Sequence, residues 1–433
     1  MKRHIMKLSS YIKIAAMSLL IFACSKEYLD PQKAVPEEVF DSPSGLTAVV
    51  TGIQRVYTNE RGSSLYNVVT ANGFLSKELF LVNPGNIAEG QLNAGGSTLD
   101  GTNTIILGLW STSNKIIFES DRVITNALLL NDKNYASGLI AYATIFKAIA
   151  LGDLAMYWQQ VPDGNGVNVG FISSTDGFNR AITEIDQALA AITANPISST
   201  FLGAIPPGID IVNSLNALKA RYALYIGNNA LALSTANSVD LTKKSSFNFD
   251  AITLNPIFQT ATATNNVYQP VDSTLGLPVG LQPDLLDKRV PFYTTINTTI
   301  APRFRINGFA VAGSTPWPVY LPGEIMLTKA EAYTRQGDLV NGLIELNKVV
   351  TKTAATDVFG VGAALPPIAS VASQQELLDL IYKHRCIELY MSGLKLIDMR
   401  RFNRPVSEMK RSFFPYPFAE RDNNPNTPPD PAF

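Results

Sequence analysis

The stretch Ala330-Glu331-Ala332-Tyr333-Thr334-Arg335-Gln336-Gly337-Asp338 joins two helical patterns, and its reading decides the fold. Upstream, 322–336 reads as a helix. Downstream, in 338–351, Leu339, Leu343, Leu346 and Val350 step by four, three and four, a one-sided apolar stripe at helical period. Gly337 can adopt the left-handed backbone that ends one helix, and Asp338 can cap the next. Ala330, seven residues before the glycine, is small enough to let two helices approach closely. The same chemistry recurs at Gly227-Asn228, again with a small residue, Ala220, seven positions earlier, and at Gly152-Asp153. Each of these three points is expected to be a junction between helices.

Working outward, Ser42-Pro43 to Asn59 reads as a capped helix with an early proline. Helices are also expected around 63–80, 103–131, 134–158, 174–194, 211–226, 228–238 and 373–402. In the fourth of these, Ile182, Ile185, Leu189 and Ile192 repeat the one-sided stripe. The 330–338 stretch resembles a tetratricopeptide turn. The junction glycines are 75 and 110 residues apart, however, which excludes a uniform 34-residue array. The pattern is one of helix pairs with other material between them. Two insertions, 81–102 and 240–320, are rich in Gly, Asn, Thr and Pro and carry short β-like runs such as Phe247-Asn248-Phe249. Loops of that length are usually functional or hold small structure of their own, so the binding surface is expected on them.

The composition narrows the chemistry. Of 433 residues 46% are hydrophobic, enough for a sizeable core and incompatible with wholesale disorder. Lys and Arg number 35 against 36 Asp and Glu, which gives no electrostatic footprint for nucleic acid. There are two cysteines, Cys24 and Cys386, and two histidines, His4 and His384. Such scarcity excludes a His-rich metal site, and no metal or cofactor is expected.

The N-terminus reads as an address. Residues 1–13 carry Lys2, Arg3, Lys7 and Lys13, and 14–23 are uncharged and mostly apolar. About ten apolar residues are too few to span a hydrocarbon core, which takes about 20 helical residues. The pattern is that of a signal peptide over 1–23. Ile21-Phe22-Ala23-Cys24 resembles a bacterial lipobox, with Cys24 as the lipidated new N-terminus and 24–42 as a tether; Phe22 is bulky for that pattern. An ordinary cleaved signal with an incidental cysteine is the alternative. Removal of 1–23 leaves 31 positive charges against 36 negative, a net of −5.

At this point the residues resemble a family. Cys24-Ser25-Lys26-Glu27-Tyr28-Leu29-Asp30 is similar to the mature start of SusD/RagB-type lipoproteins of Bacteroidetes. Leu139 to Pro162, with Phe146-Lys147-Ala148, Gly152-Asp153 and Val161-Pro162, resembles that family's central helix and following turn. Ala220-Arg221 to Gly227 and Glu324 to Gly337 continue the match. His384-Arg385, Ile387-Glu388-Leu389, Gly393 and Asp398-Met399-Arg400-Arg401 resemble its C-terminal helix signature, and Pro415-Tyr416-Pro417 with Glu420 to Asn426 its closing turn. Cys386 and the interposed Leu154 to Gln160 depart from the pattern. The resemblance implies a mostly α fold, in which tetratricopeptide-like helix pairs form a right-handed superhelical scaffold with an irregular, loop-rich face carrying short strands. One such domain is expected over 43–433. The implied role is a non-enzymatic outer-membrane, cell-surface lipoprotein. It would bind oligosaccharide or peptide nutrients and deliver them to a SusC-like TonB-dependent transporter.

His384 and Cys386 are two apart on a helix and do not face one site; His384 lies on a packing stripe with Leu380, Ile387, Met391 and Leu394. Glu324 and Glu331 share a helical face and are the candidate pair for a glycan hydrolase, although Arg335 stands four residues after Glu331. A tetratricopeptide-type protein–protein adaptor is the third reading. For saccharide binding the candidate residues are Asn83, Asn86, Glu89, Gln91 and Asn93 in the first insertion. Trp317, in Thr315-Pro316-Trp317-Pro318, is poised between binding and packing. Trp110 and Trp158 are expected in the core.

Overall fold

Ser42 opens the first helix: its hydroxyl accepts the Gly45 N–H at 3.1 Å, and Pro43 sits in the first turn, where no N–H is needed. The computed structural model describes residues 38–433. The expected signal 1–23, the lipidation residue Cys24 and the tether up to residue 37 lie outside the described residues. At the end of the expected tether, Phe40 is buried, with the Arg122 guanidinium 3.8 Å from its ring centre.

The described chain is mostly helical. In order come α1 (Pro43–Thr58), α2 (Ser64–Leu75), β1 (Leu79–Leu81), α3 (Ile87–Ala94), α4 (Thr104–Ala127) and α5 (Lys133–Tyr157). Then follow β2 (Gln160–Pro162), β3 (Phe171–Ser173), α6 (Ser174–Ala194), α7 (Ser199–Ala204), α8 (Ile211–Tyr225) and α9 (Asn229–Ala236). The second insertion holds β4 (Ser246–Phe247), β5 (Tyr268–Pro270), α10 (Arg289–Tyr293), β6 (Thr294–Ile296), β7 (Phe304–Ile306) and β8 (Trp317–Pro318). The last elements are α11 (Pro322–Arg335), α12 (Leu339–Thr351), α13 (Gln374–Glu388), α14 (Lys395–Arg401) and α15 (Phe418–Asn423). The strands pair antiparallel in twos: β1 with β5, β2 with β3, β4 with β8 and β6 with β7. The first and third ladders tie distant segments together, with Leu79 opposite Pro270 and Phe247 opposite Trp317.

Helix α5 is the centre. It is buried from Tyr135 to Tyr157 and packs against α1, α4, α6 and α8. By length and apolarity it could cross a membrane, yet its apolar window is wholly enclosed by protein, so its composition serves the core. Its one mid-helix cation, Lys147, is neutralised by Asp121 at 2.6 Å and Glu184 at 2.5 Å. The helix runs straight through Gly152-Asp153, where the sequence pattern placed a junction. The glycine is there for packing: a Cβ on Gly152 would lie 2.2 Å from the Tyr222 hydroxyl of α8.

The other two junctions are turns. Gly227 and Gly337 have φ of +77° and +86°, Asn228 caps α9 through the Leu231 N–H, and Asp338 caps α12 through the Asn341 N–H. Packing then runs α8–α9, α9–α11, α11–α12 and α11–α13. Leu327, Ala330, Leu346, Val349, Leu377 and Ile381 form a separate buried cluster between α11, α12 and α13. The segment expected as one helix over 373–402 is two. Met391 and Gly393 adopt positive φ, and Gly393 approaches so close to α2 that a Cβ would meet Val68 at 2.2 Å. Its carbonyl accepts the Tyr157 hydroxyl at 2.5 Å, which fixes the break against α5.

Candidate functional site

The first insertion is held as a turn and a short helix between β1 and α4. Asn83 folds its amide back, accepting from the Gly85 N–H at 2.8 Å and donating to the Asn266 side chain at 3.0 Å. Asn86 precedes α3; its amide donates to the carbonyls of Asn83 and Asn266 at 3.1 and 3.0 Å, and its oxygen accepts from Arg61 at 3.1 Å. The same Arg61 guanidinium, half exposed, reaches Glu89 at 2.5 Å. The Tyr66 hydroxyl also donates to Glu89, at 2.9 Å. Burial, with Tyr268 and Glu89 adding to it, pushes the Tyr66 hydroxyl well above its usual range, so it stays a donor. The second Glu89 oxygen is buried without a partner among the described residues.

Of the residues singled out in sequence, the fold therefore brings together Asn83, Asn86 and Glu89. Gln91 and Asn93 serve neighbouring contacts: Gln91 accepts from Asn103 at 2.8 Å, and Asn93 accepts from Lys410 at 2.7 Å. Arg61, Tyr66 and Asn266 complete the patch and escaped the sequence reading. Asn266 had a signal, since it stands in the second insertion; Arg61 and Tyr66 flank and begin an ordinary helix and had none. The outcome is an amide and guanidinium surface flanked by the exposed apolar side chains of Phe80 and Ile87. It can donate to and accept from hydroxyl groups.

Trp317 takes a different place. It is 6% exposed, pairs in β8 with Phe247, and packs edge-on to Phe309 with ring centres 6.2 Å apart. With Tyr57, Asp153 and Arg221 it borders an internal cavity of about 60 Å³. Ligand sites usually offer about 300–1,000 Å³, so this cavity is too small for a saccharide. Asp153 faces it with its buried Oδ2 unpartnered among the described residues, and burial raises its carboxyl well above the usual range against the pull of Arg221.

The groups considered for catalysis are locked in the framework. Arg221 holds both oxygens of Glu324, at 2.5 and 2.7 Å. Arg401 holds both oxygens of Glu331 at 2.8 Å, and Arg335 adds a contact at 2.6 Å. Despite burial, Arg401 foremost among these cations lowers the Glu331 carboxyl to about 2. His384 is buried with Nδ1 2.8 Å from Arg289, and burial keeps its imidazole neutral. Cys386 is buried and its thiol pushed up to about 12, mainly by that burial. Among the described residues no group of three or more His, Cys, Asp or Glu is placed to hold a metal ion.

No family model matches the chain, and no curated protein matches it in sequence. Solved structures match it in fold. A SusD superfamily protein from Bacteroides vulgatus superposes with a TM-score of 0.68 at 12% identity, over 90% of this chain and 99% of that one. A SusD-like carbohydrate binding protein from Bacteroides fragilis gives 0.67 at 16% identity, with the same two coverages. A SusD-like protein from Bacteroides fragilis gives 0.70 at 12% identity, over 92% and 99%. With nearly the whole of each chain superposed, and helix pairs, caps and paired short strands in place, the protein has the fold of the SusD superfamily structures.

Proposed function

We propose that the protein is a SusD/RagB-family lipoprotein, anchored through Cys24 on the cell surface, that binds oligosaccharide and passes it to a partner TonB-dependent outer-membrane transporter. The observation that carries this reading is the fold match over 90% of the chain to a structure described as a SusD-like carbohydrate binding protein. The ordered sequence motifs and the lipobox-like Ile21 to Cys24 support the same reading. Two or three acyl chains on one cysteine would meet the need for more than one chain in stable anchoring. The half-buried amides of Asn83 and Asn86 are the proposed ligand-facing groups of the first insertion, with Arg61, itself held by Glu89, positioning Asn86. Gln91 and Asn93 hold the neighbouring segments through Asn103 and Lys410, and Trp317 lies apart, in the core.

A carboxylate-pair hydrolase is disfavoured by the full ion pairing of Glu324 and Glu331. A general acid must hold a proton near neutral pH, and Glu331 is driven the other way. The test is in cells that make the protein with its native leader. Metabolic acyl labelling should be lost in Cys24→Ala, added protease should cleave the protein on intact cells, and a large outer-membrane barrel should co-purify with it. Labelling that persists in Cys24→Ala, or full resistance to protease, contradicts the anchored surface placement.

A further inference from the structure

A second concavity of about 460 Å³ lies where α4, the loop 163–169 between β2 and β3, and α15 meet. That volume falls in the range of small-molecule sites. Its frame is fixed by hydrogen bonds between chain segments. Trp110 donates through Nε1 to Glu420 at 3.1 Å, and Asn424 donates to Glu420 at 2.9 Å and to the Val169 carbonyl at 3.1 Å. Asn426 clamps the Asn168 carbonyl at 2.8 Å, and Asn165 donates to Asp121 at 3.0 Å. The floor is the Trp110 ring, stacked on Phe171 and set edge-on to Trp158 and Tyr416.

Hydrogen-bonding capacity is left over on this frame. Asn114 and Asn423 each spend one N–H on a helix carbonyl, at 2.9 and 2.7 Å. Their amide oxygens, the amide oxygen of Asn165, the whole Asn168 amide and the Ser111 hydroxyl have no protein partner among the described residues. These are neutral groups presenting both donors and acceptors, the complement of a hydroxyl-rich ring. No Lys or Arg lines the cleft, while Glu420 does, so an anionic ligand would meet only like charge. Val167, 87% exposed on the rim, adds apolar surface for a C–H face.

We propose that this cleft is a binding subsite for a neutral saccharide, with Ser111, Asn114, Asn168 and Asn423 reading its hydroxyls. The proposal rests on the saccharide-binding reading above and names where and what kind of saccharide. The test titrates purified protein calorimetrically with neutral oligosaccharides (glucans, mannans, xylans, fructans) and with uronate- and sialate-containing ones. Asn168→Ala and Ser111→Ala lose no intramolecular side-chain bond; Ser111→Ala should melt with the parent, and Asn168→Ala, at φ of +56°, slightly below it, with the fold kept. Each should weaken binding of a neutral oligosaccharide roughly tenfold, about the worth of a hydrogen bond left unmade in a ligand site. Unchanged affinity in both variants, with parental binding intact, overturns the subsite and leaves the proposed function standing. Binding confined to acidic oligosaccharides also overturns it. No binding of any saccharide by the parent overturns both.

Discussion

Arg221 of α8 and Glu324 of α11 meet as a two-point ion pair, Nε to Oε1 at 2.5 Å and Nη2 to Oε2 at 2.7 Å, with Glu324 2% exposed. The pair joins two helices that are 103 residues apart in sequence at the paired positions. Its parallel geometry satisfies both charges in a setting where water cannot.

Removing one partner from such a pair leaves a buried charge uncompensated, at a cost of about 3 kcal/mol or more. Glu324→Gln should therefore lower unfolding stability in urea by about 3 kcal/mol. A change below about 0.5 kcal/mol, the size of ordinary surface substitutions, would show that the pair is not structural.

Glu78 gives a pH signature. Burial foremost, opposed by Lys395, raises its carboxyl from 4.5 to about 7. Between those values the folded protein keeps a proton that the unfolded chain releases, so this group's contribution falls as pH rises and is fully lost above about pH 7. Glu78→Gln should flatten that slope, and at pH 8 the variant should resist urea better than the parent, by at most about 3 kcal/mol. Identical pH dependence in both proteins would contradict it.

His384 acts with the opposite sign. Burial, with Arg289 on Nδ1 and Lys383 nearby, holds the folded imidazole well below its usual 6.5. The unfolded chain gains a proton as pH falls through 6.5, so stability is lost on acidification from there downward. Asp287 and Glu388 both pair with the same Arg289, and Glu388 is shared with Lys352, which also holds Asp357. In His384→Asn the decline between pH 6.5 and 5 should be shallower than in the parent. The Glu78 effect opposes it across that window, so each single variant should expose the slope of the other.

Two glycines separate conformational strain from collision. Gly227 has positive φ but open space around it, so Gly227→Ala should cost only about 1 kcal/mol, the left-handed penalty for an alanine. Gly393 has positive φ and Val68 within 2.2 Å of a would-be Cβ, so Gly393→Ala should cost about 3 kcal/mol as overpacking adds to strain. Equal costs, read from urea unfolding, would contradict the close approach of that turn to α2.

Much of the scaffold was legible because helix signals are local. The segment 174–194 matches α6 residue for residue, and the turns at Gly227 and Gly337 follow from one glycine and one capping side chain each. Gly152 misled because the same residue that ends a helix also admits a neighbour, and the choice depends on Tyr222, far along the chain. Helix α3 escaped because its eight residues, Ile87–Ala94, carry two glycine-flanked ends and little apolar periodicity. The site was less legible still. Asn83, Asn86 and Glu89 meet on one patch, but Arg61 and Asn266 join them only through tertiary folding, and Trp317 is placed by its pairing with Phe247.

Calorimetric titration of the purified protein with neutral and acidic oligosaccharides, followed by analysis of the recovered saccharide, tests the central claim most directly. The account predicts saturable binding of at least one neutral oligosaccharide, recovered uncut. Failure to bind any saccharide, or recovery of cleaved product, would contradict it.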